Sequence, residues 1–366
     1  MAKKDYVIVG AGLFGAVCAR ELTDAGKSVV VVDKRDHIGG NCYSEEIAGI
    51  HVSKYGGHIF HTNNEKIWNY VNRFADFRPY YHFVRVSYKG EMYSFPINMM
   101  TLNKLWGVQT PAEAEEYLEH VREDIENPEN LEEWILSKVG REIYETFVKG
   151  YTKKQWDKDP KDLPTFIIKR LPIRLTYSSG YFVDKYQGWP ENGYTEMFDN
   201  LLDGITVETG VNFFRELCFH TDKIIYTGKI DEYFKYKYGE LQYRGLKHDT
   251  KVIHGDFQGC ATVNYTDEDV PYTRIVEHKH FQPHKKNDKT VITTEYSVPA
   301  SKDDIPFYPI NDKENNEIYK KYKKEADKEK NVIFGGRLAE YKYYDMHQVV
   351  ASALKTVKQE KESWKK

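Results

Sequence analysis

Uninterrupted apolar runs mark the first part of the chain, at Tyr6–Val9 and again at Val29–Val32. Strands that are covered on both faces, as in a parallel sheet, have continuous runs of this kind rather than alternation. Between the two runs lie the segment GAGLFG and a stretch that contains Ala16, Ala19 and Leu22. The pattern predicts a strand, a glycine turn, a helix and a second strand.

Later segments have the shorter apolar patterns that are typical of exposed or paired strands. FVRVSY and EMYSF, between Phe83 and Phe95, flank Lys89 and Gly90, which indicates a hairpin. Strands are also predicted at KIIYTG, ATVNYT, TRIVEHKHF and TVITTEYSV, and NVIFGGR predicts a strand and a loop. Within EHKHF, alternate side chains are expected on opposite faces of a strand.

Helix signals follow the hairpin. Thr110, Pro111 and Glu113 have the N-cap, first-turn and capping-box positions of a helix, and Asn127 with Pro128 repeats the start signal. Beyond this second start, apolar residues at three- and four-residue spacing form one stripe, made of Leu131, Trp134, Ile135, Val139, Ile143 and Phe147. The two segments predict a small helical domain that is inserted after the hairpin.

Three further segments complete the expected organisation. Prolines and glycines from about Pro160 to Pro190 bracket a stretch without a clear period, which predicts a loop with short strands over a cleft. The charged run NDKENNEIYKKYKKEADKEKN predicts a solvated surface helix, and Asp345 to Lys358 predicts a closing helix. Because no low-complexity linker or internal repeat occurs, the domains are expected to be interleaved.

Composition and charge exclude several classes of protein. The 366 residues exceed the usual size of one core, so two or three domains are expected. The 53 basic and 56 acidic side chains nearly cancel, which argues against a chain-wide nucleic-acid or acidic-membrane role. No apolar run approaches the roughly 20 residues of a membrane span, and no signal-peptide core precedes the first strand. We therefore expect a cytoplasmic protein without a membrane span.

The glycine turn carries the first chemical signal. Gly10, Gly12 and Gly15 permit a tight turn, close approach of the backbone to a pyrophosphate, and close helix packing. The N-terminus of the following helix offers N–H groups to the anion. Asp33 ends the second strand, where its carboxylate can bind ribose hydroxyls. These residues predict a site for NAD or FAD, and GGN at 39–41 resembles the second phosphate-side turn of FAD proteins.

A second candidate segment is YGGHIFHT, in which His58 and His61 follow a glycine pair. Glycines let a backbone approach a flat ligand closely, and an imidazole can tune such a ligand. For each histidine, the alternative is a hydrogen-bonded core residue. No H-E-x-x-H motif or carboxylate cluster indicates a metal site.

Arginines and tyrosines form the third candidate set. Arg170 and Arg174 lie in the proline-bounded loop, Arg274 lies in a predicted strand, and Arg337 follows the glycines of FGGR. The accompanying tyrosines are at 181, 308, 341, 343 and 344. Guanidinium groups bind phosphates through two hydrogen bonds, and phenols add further hydrogen bonds. Each residue alone is compatible with a surface charge or a core ring, whereas the set predicts a second, diphosphate-like ligand.

Nine motifs, in order from the first strand to the last helix, closely resemble the UDP-galactopyranose mutase family: GAGLFGAV, DKRDHIGGNCY, YGGHIFHT, SFPINMMT, GYTKKQW, YQGWPENGYT, IIYTGKIDEYF, TRIVEHKHF and GRLAEYKYYDM. The resemblance implies an α/β fold with an FAD-binding Rossmann-like domain, an inserted helical domain and an antiparallel β-sheet domain. The implied ranges are 1–80, about 200–255 and 325–366 for the first domain, about 99–165 for the second, and about 81–98, 166–199 and 256–324 for the third, which would hold the substrate.

The resemblance also implies roles for individual residues. His58, Arg170 and Arg274 would be catalytic, with His58 facing the flavin. Arg170 and Arg274 would bind the diphosphate together with Tyr181, Tyr308 and Tyr343, uracil would stack on Tyr151, and Phe147 and Trp156 would complete the substrate site. Cofactor contacts would come from Gly10, Gly12, Phe14, Gly15, Asp33, Lys34, Gly40, Asn41, His58, Arg337, Asp345 and Met346. Asp33 departs from the glutamate that many flavoproteins have at this position.

The reaction that the resemblance implies is an isomerisation. UDP-galactose would interconvert between its pyranose and furanose forms through a sugar adduct at N5 of reduced FAD, without net redox change, in a homodimer that serves cell-wall biosynthesis. No serine or cysteine beside a base offers another nucleophile. The rivals are a net FAD-dependent oxidoreductase of the amine oxidase or desaturase type, which would share only the first 60 residues, and a nucleotide-binding protein without catalysis.

Overall fold

The computed structural model describes residues 3–165, 173–216 and 221–364, so the candidate Arg170 lies outside the described residues. The helices are α1 (Leu13–Thr23), α2 (Glu65–Val71), α3 (Met99–Trp106), α4 (Pro111–Val121), α5 (Leu131–Ile143), α6 (Gly150–Trp156), α7 (Gly193–Leu201), α8 (Phe213–Glu216), α9 (Ile230–Tyr233), α10 (Lys313–Ala326) and α11 (Met346–Ser363). The strands are β1 (Lys4–Val9), β2 (Val29–Asp33), β3 (Ser44–Ile47), β4 (Ile50–Ser53), β5 (Phe60–Thr62), β6 (Phe77–Pro79), β7 (Val84–Tyr88), β8 (Glu91–Phe95), β9 (Ile97–Asn98), β10 (Ile173–Arg174), β11 (Tyr186–Pro190), β12 (Thr206–Thr209), β13 (Thr221–Tyr226), β14 (Tyr243–His254), β15 (Thr262–Tyr265), β16 (Arg274–Glu277), β17 (Lys289–Ala300), β18 (Tyr308–Pro309) and β19 (Val332–Phe334).

A parallel sheet forms the dinucleotide-binding unit. Within the described residues its strand order is β12, β2, β1, β13 and β19. Ile8 and Val31 pack on one face against the core that α1 and α11 share, whereas Val7 and Val30 pack on the other face beside Phe213. Both faces are therefore covered, as the continuous apolar runs require. The predicted strand, turn, helix and strand are confirmed.

A larger sheet provides the opposite wall of the molecule. Within the described residues its order is β18, β14, β17, β16, β15, β7 and β8, and its pairs are antiparallel except for β15 beside β7. The predicted hairpin is confirmed, because Lys89 and Gly90 join β7 to β8 with φ of 50° and 78°, as a type I′ turn requires. Strand β14 pairs with β17 from Tyr243 to His254. This strand therefore belongs to the larger sheet, while the domain ranges stay predictions.

The helical unit α3–α6 lies between these sheets in the sequence. The capping box of α4 at Thr110 and Glu113 is present as predicted. Helix α5, however, begins three residues later than the Asn127 signal, because the side chain of Asn130 accepts a hydrogen bond from Glu133 N. The apolar stripe also does not follow one straight helix. Gly140 has φ of 76°, and a π-helical turn covers Tyr144–Lys149 before α6 begins.

Two other predictions changed in the structure. The strand predicted through EHKHF ends at Glu277, and His278–Phe281 form a 3-10 turn, so the expected alternation is wrong there. The segment from 160 to 190 contains β10, which pairs with β9, and β11, which pairs with β5 and β6 in a small sheet. Strand β11 thus connects the proline-bounded loop to the segment that carries the candidate histidines.

Helix α10 agrees with the charged surface helix, although Tyr322 on its inner face is fully buried. Helix α11 continues to Ser363, beyond the expected end at Lys358, because Glu360 accepts hydrogen bonds from Tyr6 and Lys223 in the first sheet.

No helix in the described part of the chain is both long enough and apolar enough to cross a bilayer.

Candidate active site

One continuous cavity of about 1270 Å³ runs from the glycine turn after β1 to the larger sheet. The dinucleotide-binding unit, α6, β16 and β18 all contribute to its walls. Most of the predicted site residues line it, namely Gly10, Gly12, Phe14, Asp33, Lys34, Gly40, Asn41, His58, Tyr151, Trp156, Tyr181, Arg274, Tyr308, Arg337, Tyr343, Asp345 and Met346. The structure therefore brings the cofactor and substrate candidates to one cavity, while their roles stay predictions.

The glycine turn is held in a conformation that a side chain would prevent. Gly10 has φ of 110°, and a Cβ there would lie 2.0 Å from Thr227 Oγ1. Gly15 does not line the cavity. A Cβ on Gly15 would lie 2.0 Å from the Gly10 carbonyl oxygen, so this glycine lets α1 pack closely on the turn. The N-terminus of α1 consequently opens directly onto the cavity, where its N–H groups favour an anion.

Asp33 fixes the turn from the end of β2. Its Oδ2 accepts a hydrogen bond from Ala11 N at 2.7 Å, and its Oδ1 accepts one from Arg35 N at 2.9 Å. The carboxylate is nearly buried at the cavity wall. Its predicted contact with a ribose would therefore add to two backbone contacts that it already makes.

Arg35 is a cavity residue that the sequence analysis missed. One guanidinium nitrogen, Nη2, donates to Asn41 Oδ1 at 2.7 Å, and the group stacks 4.7 Å from the ring of Tyr55. The other, Nη1, is buried without a hydrogen-bond partner in the described residues. A buried donor of this kind points to a ligand acceptor. The sequence signal for this role was the position of Arg35, two residues after Asp33 at the end of β2.

His58 faces the cavity from the loop between β4 and β5. Its Nδ1 donates to the carbonyl oxygen of Gly56 at 2.7 Å, which leaves Nε2 as the unprotonated nitrogen of the neutral ring. The pKa of His58 is lowered to about 4, mainly by desolvation, with smaller contributions from Arg337 and His248, while the hydrogen bond to the Gly56 carbonyl opposes the shift. The imidazole is therefore neutral near pH 7.

His61 also lines the cavity, and its partners are now defined. Its Nδ1 lies 2.7 Å from Asp184 Oδ2, and its ring stacks on Phe182 at a centroid distance of 3.7 Å. Asp345 and His347 bring ligand atoms within 4.8 Å of those of His61. Because His61 Nδ1 already interacts with Asp184, we assign no metal to this group.

Arg274 is the central cation of the substrate end. Its Nε donates to Asn264 Oδ1 at 2.9 Å, its Nη2 donates to the Tyr151 hydroxyl at 3.2 Å, and its Nη1 lies 3.6 Å from the buried carboxylate of Glu295. Desolvation opposes the charge, but Tyr151 and Glu295 outweigh it and raise the pKa of Arg274. The guanidinium is thus a permanent positive charge in the cavity. Asn264 and Glu295 were missed because only the tertiary fold places them beside Arg274.

The predicted tyrosines divide into two groups. Tyr308 and Tyr343 stack at 5.8 Å, and the Arg337 guanidinium lies 4.9 Å from the Tyr343 ring. Burial raises the pKa of Tyr308 and of Tyr181, so both phenols remain neutral hydrogen-bond donors. Tyr341, in contrast, is buried outside the cavity, where its hydroxyl donates to the carbonyls of Gln242 and Ile310. Tyr344 lines the cavity and donates to Glu340.

Two further candidates, Phe147 and Arg174, interact with other parts of the protein itself. Phe147 does not line the cavity, because its ring packs beside Tyr93 and Phe95 in the core of the helical unit. Arg174 lines the cavity, but its guanidinium donates to the carbonyls of Gly180 and Tyr181 at 2.5 and 2.9 Å. This cation stabilises its own segment.

Comparisons with known proteins match both halves of this site. Residues 146–343 match a family model described as UDP-galactopyranose mutase, and residues 8–74 match one described as an NAD(P)-binding Rossmann-like domain. A Klebsiella pneumoniae protein named "Probable UDP-galactopyranose mutase" is 42% identical over 97% of this chain and 94% of its own. The dTDP-fucopyranose mutase of Escherichia coli is 41% identical over 95% of this chain and 96% of its own.

The structural likeness is equally extensive. A crystal structure of reduced UDP-galactopyranose mutase covers 98% of this chain and 93% of that one, with a TM-score of 0.75 at 14% identity, which concerns the fold. Flavin-containing amine oxidase B of Mus musculus is 28% identical, but over 31% of this chain and 25% of its own. The matches to mutases thus span the chain, whereas the amine oxidase match spans less than a third of it.

Proposed function

Because the chain belongs to the UDP-galactopyranose mutase family, we propose that it interconverts UDP-galactopyranose and UDP-galactofuranose with reduced FAD bound. The observation that supports this proposal most strongly is the placement of Arg274. A permanent cation stands among Tyr151, Tyr181 and Tyr308 at one end of a cavity whose other end is a dinucleotide turn. Such an arrangement suits a nucleoside diphosphate sugar that meets a cofactor inside one cavity. The cytoplasmic location and the homodimer stay predictions.

The described residues fit FAD at the first end. Gly12 and Gly40 lie close together at the cavity wall, since a Cβ on Gly40 would lie 3.0 Å from Gly12 Cα, and the absence of side chains lets a pyrophosphate approach both backbones. The buried, unpartnered Nη1 of Arg35 gives an independent indication of a ligand acceptor at the same wall. The residues that would hold FAD are those predicted from the resemblance, together with Arg35.

When bound and reduced, FAD supplies the nucleophile that holds C1 of the sugar while UDP is detached. The chain supplies the electrostatics and the geometry. Arg274 stabilises the negative charge of the departing and returning diphosphate, and the neutral phenols of Tyr181 and Tyr308 donate hydrogen bonds without adding charge. Glu295 and Asn264 keep the guanidinium in place.

His58 acts beside the cofactor in this proposal. Its protonated Nδ1 is fixed by Gly56, so the unprotonated Nε2 is the nitrogen that can accept a proton or a hydrogen bond in the cavity. A pKa of about 4 keeps it in this state throughout the neutral range. The ring therefore orients a donor at the reaction centre without adding a second positive charge beside Arg337.

The test is to incubate the purified, reduced protein with UDP-galactofuranose and to follow UDP-galactopyranose by chromatography. Because the proposed isomerisation has no net redox change, reductant should not be consumed in proportion to product, and the oxidised protein should be nearly inactive. Equal turnover by oxidised protein would contradict the cofactor's proposed role. Product that is accompanied by stoichiometric consumption of oxygen or reductant would favour the oxidoreductase alternative.

A second substrate is favoured by the relative from Escherichia coli, which is named a dTDP-fucopyranose mutase and is 41% identical to this chain. The matched substrate for the same assay is therefore dTDP-fucofuranose. We expect UDP-galactofuranose to have the higher kcat/KM, in line with the family model that spans 146–343. A higher kcat/KM for dTDP-fucofuranose would support the proposed isomerisation but change the substrate that we assign to it.

A further inference from the structure

Helix α6 carries three side chains into the cavity, Tyr151, Gln155 and Trp156, and in the proposed function Tyr151 and Trp156 hold the nucleotide. The helix has seven residues and continues the π-helical turn of Tyr144–Lys149, so its own hydrogen bonds do not fix where its C-terminal end lies. Its orientation must come from the elements against which it packs. The contacts at its C-terminal end identify one such residue.

Arg244 lies in β14, outside the cavity, and its side chain is almost completely buried behind α6. Its Nε donates to the carbonyl oxygen of Gln155 at 2.9 Å, and its Nη2 lies 3.5 Å from the carbonyl oxygen of Lys154. The same Nη2 donates to Ser297 Oγ at 3.2 Å, and that hydroxyl donates to the Gln155 carbonyl at 2.8 Å. The last carbonyls of α6 are therefore bound by a cation and a hydroxyl from the larger sheet, which also suits the negative end of the helix dipole.

The N-terminal end of α6 is held by a close backbone contact. A Cβ on Gly150 would lie 2.1 Å from the carbonyl oxygen of Thr266, so the helix begins in close contact with the turn between β15 and β16. Nearer the C-terminal end, Lys154 Nζ donates to the carbonyls of Tyr265, Asp267 and Tyr272, in β15 and the turn that follows it. These contacts hold the side of α6 that faces the turn, and the contacts of Arg244 and Ser297 hold the C-terminal carbonyls, so together they set the angle at which α6 presents Tyr151 and Trp156.

We propose that Arg244 is a positioning residue for the nucleotide half of the substrate site. By holding the Gln155 carbonyl, it sets the orientation of Tyr151 and Trp156 toward the nucleotide, while it touches neither the substrate nor the cofactor. The strand of Arg244 also pairs with Tyr308, so the same residue links α6 to a second wall of the cavity. This inference rests on the proposed function for the identity of the nucleotide.

We expect substitution of Arg244 to weaken nucleotide binding and to leave the rate of the chemical step nearly unchanged. Replacing Arg244 by Met removes the donors but keeps an apolar chain in the buried space, and the Kd for UDP should rise about tenfold, with a matching rise in KM. The kcat at saturating substrate should stay within about twofold of wild type, since Arg274 and the cofactor contacts are untouched. Arg244→Lys, which keeps one donor near the Gln155 carbonyl, should recover part of the affinity, and Ser297→Ala should raise Kd by about threefold.

The experiment measures UDP binding to the FAD-loaded protein by calorimetry, steady-state kinetics in the mutase direction, and the melting temperature. The matched control is Arg20→Met, because Arg20 donates from Nη1 to the carbonyl of Asp203 at 2.9 Å, far from α6. An unchanged Kd in Arg244→Met, or equal losses of kcat and affinity without recovery in Arg244→Lys, would overturn the inference. If wild-type protein does not bind UDP, the proposed function fails instead, so the two failures are distinguishable.

Discussion

Arg274 in β16 donates a hydrogen bond to the hydroxyl of Tyr151 in α6 at 3.2 Å, although 123 residues separate them. The contact joins the larger sheet to the helical unit at the point where both face the cavity. The cation that is expected to bind the diphosphate and the ring that is expected to stack on uracil thus hold one another in place. A change at either residue is expected to be felt at both subsites.

The first prediction concerns this pair. Arg274→Ala should lower kcat/KM about ten- to a hundredfold, because a charge-assisted contact to the diphosphate is worth about 1.5–3 kcal/mol. Tyr151→Phe keeps the ring and removes only the hydroxyl, so the loss should be about tenfold or less. Both variants should retain FAD, which the visible spectrum reports. Wild-type kcat/KM in Arg274→Ala would contradict the assignment.

Removing Arg274 also leaves the buried Glu295 without its cation, and this can destabilise the fold. Arg274→Lys is the control for that effect. It keeps the charge near Glu295 but cannot reproduce the forked contacts to Asn264 and Tyr151. A melting temperature close to wild type together with a lowered kcat/KM in Arg274→Lys would assign the loss to substrate binding.

The second prediction concerns Arg35 and the cofactor. If its unpartnered Nη1 binds FAD, Arg35→Met should raise the dissociation constant of FAD by about tenfold or more. Arg73→Met is the matched control, because the Arg73 guanidinium also lies over a tyrosine ring, that of Tyr70, but is exposed at the surface. Equal FAD retention in the two variants, measured after gel filtration, would show that Arg35 has no part in cofactor binding.

The third prediction is a loss of stability at acid pH. Desolvation holds the pKa of His58 near 4 and those of His82 and His278 near 3, against about 6.5 in the unfolded chain. Below pH 6.5 the unfolded state therefore binds protons that the folded state does not. The free energy of unfolding should fall by roughly 3 kcal/mol per histidine between pH 6.5 and 4.

Urea unfolding at stepped pH values measures this dependence. His278 lies outside the cavity and interacts with Thr293 through Nε2 at 2.8 Å. Because His278→Gln has no titrating ring, the slope of unfolding free energy against pH should decrease in this variant, whatever the stability of the variant at pH 7.5. A slope that is the same in both proteins, or a flat profile above pH 4.5, would be incompatible with neutral buried imidazoles.

The fourth prediction concerns the C-terminal helix. Glu360 Oε1 accepts hydrogen bonds from Tyr6 and Lys223, each at 2.6 Å, and its carboxylate is almost fully buried. Glu360→Gln removes the charge and should lower the free energy of unfolding by about 2 kcal/mol. Glu362→Gln, two residues further along α11 at an exposed position, should change it by less than about 0.5 kcal/mol. Equal effects in the denaturation curves would mean that α11 is not held by this contact.

Local chemistry explains which parts of the fold could be predicted. The hairpin at Lys89 and Gly90 and the capping box at Thr110 depend on neighbouring residues alone, and both are present in the structure. The break at Gly140 depends on a distant group, because a Cβ there would lie 2.4 Å from the carbonyl oxygen of Val121. A periodic stripe cannot reveal such a contact, so α5 was expected to continue to Phe147.

The same distinction holds for the site. The turn glycines and Asp33 are adjacent to the elements that position them, so their place at the cavity could be predicted from spacing. Glu295 and Asn264 reach Arg274 only because β17 and β15 flank β16 in the larger sheet. The role of Arg244 was equally hidden, since its partner is a backbone carbonyl, which the sequence does not distinguish from any other. The expected diphosphate contact of Arg170 stays a prediction.

The contact between Tyr6 and Glu360 has a consequence for how the protein forms during synthesis. Strands β1 and β2 and the glycine turn between β1 and α1 are encoded early, but α11, which covers them, is translated more than 300 residues later. Contacts of such sequence separation form slowly, because a long stretch of chain must first be brought together. During synthesis, one face of the dinucleotide-binding unit therefore stays exposed to solvent until α11 has been made. We expect FAD to be captured tightly only after α11 has been made, so that cofactor loading marks the end of folding rather than its beginning.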